Sequence, residues 1–207
     1  MRSAKKLIAQ VRKQTAKNDV AHDFGHIMRV YKNAQKIAKK EKANMKLVLA
    51  AALLHDIVSY PKSDSRSRTS SILSAKEAAK ILQGYGYSAD EIKIVTEAIR
   101  DHSFSRGITP QTLEGKILQD ADRLDSMGAM GIARTFSVGG AEKRIFHSNK
   151  DPFCKFRLPD DTKWTLDHFY KKLLLLEKKM NTKTAKEEAR LRIRIMNEFL
   201  REFRREI

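Results

Sequence analysis

The sequence predicts an all-α protein, and three observations carry that expectation. Apolar residues recur at three- and four-residue intervals almost throughout the 207 residues. No segment alternates apolar and polar residues for long enough to make a strand, and no internal repeat is visible. Residues 47–54 form an unbroken run of Leu, Val and Ala, mostly strong helix formers, which reads as a helix buried on every side.

In chain order, residues 3–17 carry Leu7, Ile8 and Val11 on one face, and Asn18-Asp19 breaks the pattern. A second helix is expected from Asp23, an N-cap residue, to about 42, with Val30, Ala34, Ile37 and Ala38 inward and His22 and His26 around its first turn. The third is expected over 45–57 and ends its apolar run in His55-Asp56. PKSDSRSRTSS follows, a polar and mobile loop by composition, with the basic residues Lys62, Arg66 and Arg68. Ser74 with Glu77, and Ser88 with Glu91, have capping-box spacing and should open helices ending near 83–84 and 102–103. After Thr109-Pro110 the chain restarts into a helix with Leu113, Ile117, Leu118 and Ala121 as its apolar stripe and Asp120, Asp122 and Asp125 along it. Residues 128–140 read as a tightly packed helix closed by glycines, and 141–161, with Pro152 and Pro159, as the least regular part. Amphipathic helices are expected over 164–180 and 184–205, the second opened by Thr184 and Glu187 with Leu191, Ile195, Phe199 and Leu200 on its apolar face.

Composition narrows the function. The net charge is +17, concentrated at the ends: residues 1–46 hold 13 Lys and Arg against 3 Asp and Glu, residues 171–207 hold 12 against 6, and the middle is nearly neutral. Such a charge attracts nucleotides or nucleic acid. Because the basic residues are spaced around helices and not interleaved with aromatics, the expectation is a solvated face with at most weak, non-specific nucleic-acid binding. One cysteine, Cys154, excludes an internal disulfide and a Cys-based zinc site. MRSAKKLIAQ lacks the apolar stretch of a signal peptide, and no stretch is apolar enough to span a membrane, so a cytoplasmic protein is expected. Oligomeric state is not legible.

His55-Asp56 stands at the end of the most apolar run in the chain, where an unpaired carboxylate costs several kcal/mol. Pairing, capping or a metal ion would offset that cost. His26, the His55-Asp56 pair and one of Asp120, Asp122 and Asp125 make a two-imidazole, two-carboxylate set. Such a set suits Mn, Fe, Ni, Co or Zn better than the all-oxygen cage preferred by Mg or Ca, with Mg still admissible. Metal-assisted hydrolysis of a phosphate ester is the natural chemistry of such a site.

Three segments, taken together and in order, resemble the HD-domain metal-dependent phosphohydrolases, specifically the small stand-alone hydrolases of bacteria and archaea. They are HDFGHIMRV at 22–30, the apolar run into His55-Asp56, and LQDADRLDSMGAMGIAR at 118–134. The resemblance covers about residues 20–140. It implies a helical bundle around a metal, with the C-terminal helices, about 162–205, packed on it as part of a single domain 1–207. It implies His26, His55, Asp56 and Asp122 as metal ligands, with His26 chosen over His22 because the ligand stands three residues before Arg-Val. It also implies hydrolysis of a phosphomonoester, phosphodiester or pyrophosphate bond, often in a nucleotide, and places His102 at the pocket against phosphate or leaving group.

HDIVSY after the doublet departs from the HDxGK of the cyclic-dinucleotide phosphodiesterases, which favours one metal ion. For catalysis, Asp56 and Asp122 hold the metal, and Asp125, one turn on, serves as general base or orients a ligand. Arg29, Arg123 and Lys62 are candidates to take up phosphoryl charge. Two other readings stay open, a nucleic-acid-binding protein with a structural HD core and a (p)ppGpp hydrolase-like enzyme.

Overall fold

A computed structural model describes residues 2–16, 23–60 and 64–207. His22, Lys62 and the Asn18-Asp19 break lie outside the described residues. Among those described the secondary structure is helical, with one isolated bridge between Ile145 and Trp164. The chain divides into two compact units, Met1–Asp122 and Arg123–Ile207.

The first unit is built on α1 (Arg2–Gln14), α2 (Phe24–Glu41), α3 (Met45–Leu54), α4 (Ser70–Gly84), α5 (Ala89–Asp101) and most of α6 (Leu113–Asp125). Helix α3 packs against α1, α2, α4 and α5, so an apolar residue suits nearly every position of it, and seven of its ten residues are buried. The Asp23 carboxylate caps α2 by accepting from His26 N at 2.7 Å, as the sequence predicts, and all four of the inward residues named on α2 are buried. Ser88 and Glu91 form both arms of the predicted capping box on α5.

Two boundaries differ from expectation for one physical reason. Helix α3 stops at Leu54, three residues early, and α4 starts at Ser70 and not at Ser74. Ser74 sits inside α4, fully buried, where its hydroxyl accepts from Val58 N at 3.1 Å and donates to Val58 O at 3.0 Å. The side chain that resembles a helix cap is spent on the chain leaving the His-Asp doublet. The stretch expected to be a mobile loop is partly folded: Asp64 caps a short 3₁₀ turn, Ser65–Thr69, and its carboxylate also grips the Arg66 guanidinium.

The second unit contains α7 (Gly128–Ala141), α8 (Asp167–Lys171) and α9 (Lys183–Glu206). The tight packing predicted for α7 is real: a Cβ on Gly131 would lie 2.3 Å from the Ser126 carbonyl oxygen, and one on Gly139 2.3 Å from Thr165 Oγ1. The single helix expected over 164–180 is broken after α8 by Lys172, at φ −136°, and continues as two 3₁₀ turns. Leu166, Phe169, Leu173, Leu176 and Met180 keep the apolar period and are all buried, so the periodicity was sound while the backbone tightened to seat them. Thr182, not Thr184, caps α9. Its buried face is Ala185, Ala189, Met196 and Leu200, whereas Leu191 and Ile195 are 49 % and 45 % exposed. Helix α9 packs against α7.

Candidate metal centre

Helices α3 and α5 end in the same way. His55 and His102 are their C-cap residues, and each ring turns back on its own helix: His55 Nδ1 lies 2.9 Å from Ala52 O and His102 Nδ1 2.6 Å from Ile99 O. A carbonyl can only accept, so Nδ1 carries the proton in both rings. The bond satisfies one of the carbonyls a helix end leaves open, fixes the tautomer and leaves Nε2 as a bare lone pair.

His55 Nε2 points into a cluster. His26 Nε2 is 3.2 Å away and Asp56 Oδ2 3.4 Å. His26 Nε2 lies 3.6 Å from the same Asp56 oxygen and 3.5 Å from Asp122 Oδ1. On its other oxygen Asp56 faces His102 Nε2 at 3.8 Å, and the His102 ring stands edge-on to His55 with centroids 5.1 Å apart. Among the described residues, His26, His55 and Asp56 form a group whose donor atoms all lie within 4.8 Å of one another. Burial pushes the pKa of His55 from 6.5 down to about 4, so its ring is neutral at physiological pH. For Asp122 burial acts to raise the carboxyl, but His26, His102 and His55 outweigh it and hold the group below its ordinary value.

The donor set fits a divalent cation. Donors bound to one ion at about 2.1 Å stand about 3.0 Å apart at octahedral angles and about 3.4 Å apart at tetrahedral ones. Two of the observed separations, 3.2 and 3.4 Å, fall in that range, and the other two, 3.5 and 3.6 Å, lie just above it. A neutral imidazole lone pair converging with carboxylate oxygens in a buried place is stabilised by a cation between them.

The other residues named from the sequence lie elsewhere. Asp120 is fully buried, and Asp125 accepts from Arg134 Nη1 at 2.6 Å. Of the three acids on α6, Asp122 is the one that faces His26. Arg123 Nη1 donates to the Lys179 carbonyl. Arg29 lies along the first turn of α2, its Nη1 3.3 Å from where a Gly25 Cβ would stand, beside the Asp23 carboxylate. Sequence reasoning read Ser74 as a helix cap and overlooked Gln119, whose buried amide donates to Asp101 O at 3.1 Å and Ile108 O at 2.8 Å and so ties the loop after His102 to α6. Polar residues at positions that the helical period buries were the signal for both.

The HD-domain family profile matches residues 23–127, half of the chain, which spans the cluster. YpgQ of Bacillus subtilis, itself uncharacterized, is 36% identical over 190 residues, 90% of this chain and 84% of that one. The crystal structure of B. subtilis YpgQ in complex with ADP superposes with a TM-score of 0.79 at 32% identity, covering 100% of this chain and 95% of that chain. An HD-superfamily hydrolase from Bacillus thuringiensis gives 0.76 at 36% identity over 98% and 95% of the two chains. The chain belongs to the HD-domain family. Membership supports a metal-dependent phosphohydrolase in general terms, and HD domains bind divalent metals.

Proposed function

We propose that the protein hydrolyses a phosphoester or pyrophosphate bond of a nucleotide with one divalent metal ion held by His26, His55, Asp56 and Asp122. The observation that carries this reading is the convergence of these four side chains with the His55 tautomer locked toward the cluster. Support for a nucleotide comes from YpgQ, a relative whose crystal structure contains ADP.

A divalent cation there supplies Lewis acidity, making water more acidic and taking up charge on a phosphoryl oxygen. The protein's own groups do the rest. Asp56 spans the cluster, one oxygen toward the two ligand imidazoles and the other toward His102. His102, held by Ile99 O, contacts the substrate through Nε2 and when protonated donates to the leaving oxygen. Asp125 steadies the last turn of α6 through Arg134, and Arg29, one turn beyond His26, supplies positive charge. Ser74 and Gln119 position the chain segments that follow the two histidine caps.

Wild-type protein and the His26→Ala and His22→Ala variants, each assayed with AMP, ADP and ATP in Mn, Ni, Co and Zn, test this reading. The expected result is metal-dependent turnover in wild type, a metal-poor and inactive His26→Ala, and a His22→Ala that retains its metal. Wild type that neither binds metal nor turns over any of these nucleotides would sink it. Sequence-selective DNA binding at physiological salt, alongside that failure, would favour the nucleic-acid reading.

A further inference from the structure

In the second unit the loop between α7 and α8 is held firmly in place and yet turns large apolar side chains into solvent. Phe156 is 92 % exposed and Leu158 89 %, more than any other large apolar side chain described, and Ile145 and Phe146 on the other limb of the loop are exposed as well. Backbone bonds lay the end of the loop against that limb: Thr165 N donates to Ile145 O and Leu166 N to Phe146 O, each at 2.9 Å. Asp151 fixes the turn before Phe156, its carboxylate accepting from Lys155 N at 3.0 Å and from Phe156 N at 2.8 Å. Arg157, between the two exposed residues, points inward: its Nε donates to Asp151 O at 3.1 Å, its Nη2 to buried Asp167, and its guanidinium lies 4.2 Å from the centre of the Trp164 ring. A slack loop would fold Phe156 and Leu158 back onto the protein and hide them from water; this one holds them out.

The charges of the loop are sorted to match. Its acids are spent within it: Asp151 on backbone amides, Asp161 on His168 and Lys171, Glu142 on Arg144 and Asp160 on Lys163. Its cations are left outside. Lys155 adjoins Phe156, Lys150 adjoins the Asp151 that holds it, and Arg204 of α9 lies over the Phe153 ring, 4.4 Å from its centre; all three are exposed, and none takes part in an ion pair among the described residues. What the loop offers to a partner is therefore apolar and cationic. A second copy is a poor occupant, because a two-fold contact sets the patch against itself, cation facing cation on chains that each carry +17. A folded partner would need a pocket for each projecting side chain. A lipid interface closes around Phe and Leu without one and, where anionic, attracts the cations beside them.

We propose that this loop docks the protein on the surface of an anionic phospholipid bilayer, with Phe156 and Leu158 entering the headgroup boundary and Lys150, Lys155 and Arg204 meeting lipid phosphates. The fixed turn adds to the contact, since the two side chains are already held in the conformation that inserts and little ordering remains to be done on binding. The proposal does not depend on the hydrolase reading, and nucleotide turnover does not enter its test.

Flotation of the full chain with vesicles of equal parts phosphatidylglycerol and phosphatidylcholine, and with vesicles of phosphatidylcholine alone, tests it for wild type, Phe156→Ser/Leu158→Ser and Lys150→Glu/Lys155→Glu. Wild type is expected to float with the anionic vesicles and not with the neutral ones. The apolar double variant keeps every charge of the chain and should bind the anionic vesicles more than about tenfold more weakly, and the charge-reversed variant should lose binding too. All four side chains are exposed, so the variants should fold, which circular dichroism checks. Equal binding by wild type and Phe156→Ser/Leu158→Ser would assign the attraction to the overall charge of the chain and overturn the proposal. No binding by wild type overturns it as well. So does a wild-type dimer in sedimentation that the apolar double variant loses, which would give the patch to a second copy.

Discussion

The two units of the molecule hold their acids in different ways. In the second unit Asp167 is fully buried and Arg157 grips both its oxygens, Nη2 at 2.8 Å from Oδ1, while Asp160 N donates to the same carboxylate at 2.6 Å. Asp125 is matched in the same way by Arg134. In the first unit Asp56 and Asp122 face His26 and His55 at 3.4 to 3.6 Å, longer than ordinary hydrogen bonds and close to the spacing of donors around one ion. A carboxylate packed against its own arginine shapes the fold. One gathered with imidazoles at these spacings is suited to a cation as well.

The contrast is broken most severely by deleting one acid from each region. Asp56→Ala should lose its metal and lower turnover by more than about a hundredfold while the protein stays folded, because it removes a metal-holding oxygen. Elemental analysis and a nucleotide assay read this directly, and metal content equal to wild type would count against the cluster as a binding site.

Asp167→Ala should do the reverse. It strands the Arg157 guanidinium against a buried gap, so denaturant unfolding should show a loss of about 3–5 kcal/mol with metal content unaltered. A loss below about 1 kcal/mol, the range of exposed pairs, would mean that this ion pair does not hold the loop.

Acid sharpens the comparison with the smallest effect. His55 gains its proton near 6.5 when unfolded but only near about 4 when folded, because burial disfavours the charged ring. Between those values the unfolded chain binds more protons. Metal-free protein therefore keeps the full His55 contribution above pH 6.5 and loses it as pH falls toward 4, by about 3 kcal/mol at the acid end. Urea unfolding of chelator-treated wild type and His55→Ala between pH 7 and 4 isolates this contribution, since other carboxylates act on both. Parallel pH profiles in the two proteins would show that His55 does not carry it.

How much of this was legible depends on whether the cause was local. Asp23, the Ser88 and Glu91 pair, the apolar run of α3 and the inward residues of α2 were readable because a cap or a helical period acts within one or two turns. The candidate site was legible as residue types in order, and the structure brings His26, His55, Asp56 and Asp122 together. By itself, then, the sequence determined the helical class, most helix positions and the supply of imidazoles and carboxylates.

Choices among local equivalents were decided only by tertiary structure. Ser74 has the spacing of a cap and became a buried clamp on Val58, because α4 extends one turn further back and lays that hydroxyl against the end of the doublet. Leu191 and Ile195 match the helical period as well as Ala189 and Met196 do, yet the face with Ala189 and Met196 turned inward, because which face is covered is set by the elements packed against it. Asp122 and Asp125 lie one turn apart on α6; one meets His26 and the other meets Arg134. No spacing rule separates them, because the partners that divide their roles come from α2 and α7, distant in sequence.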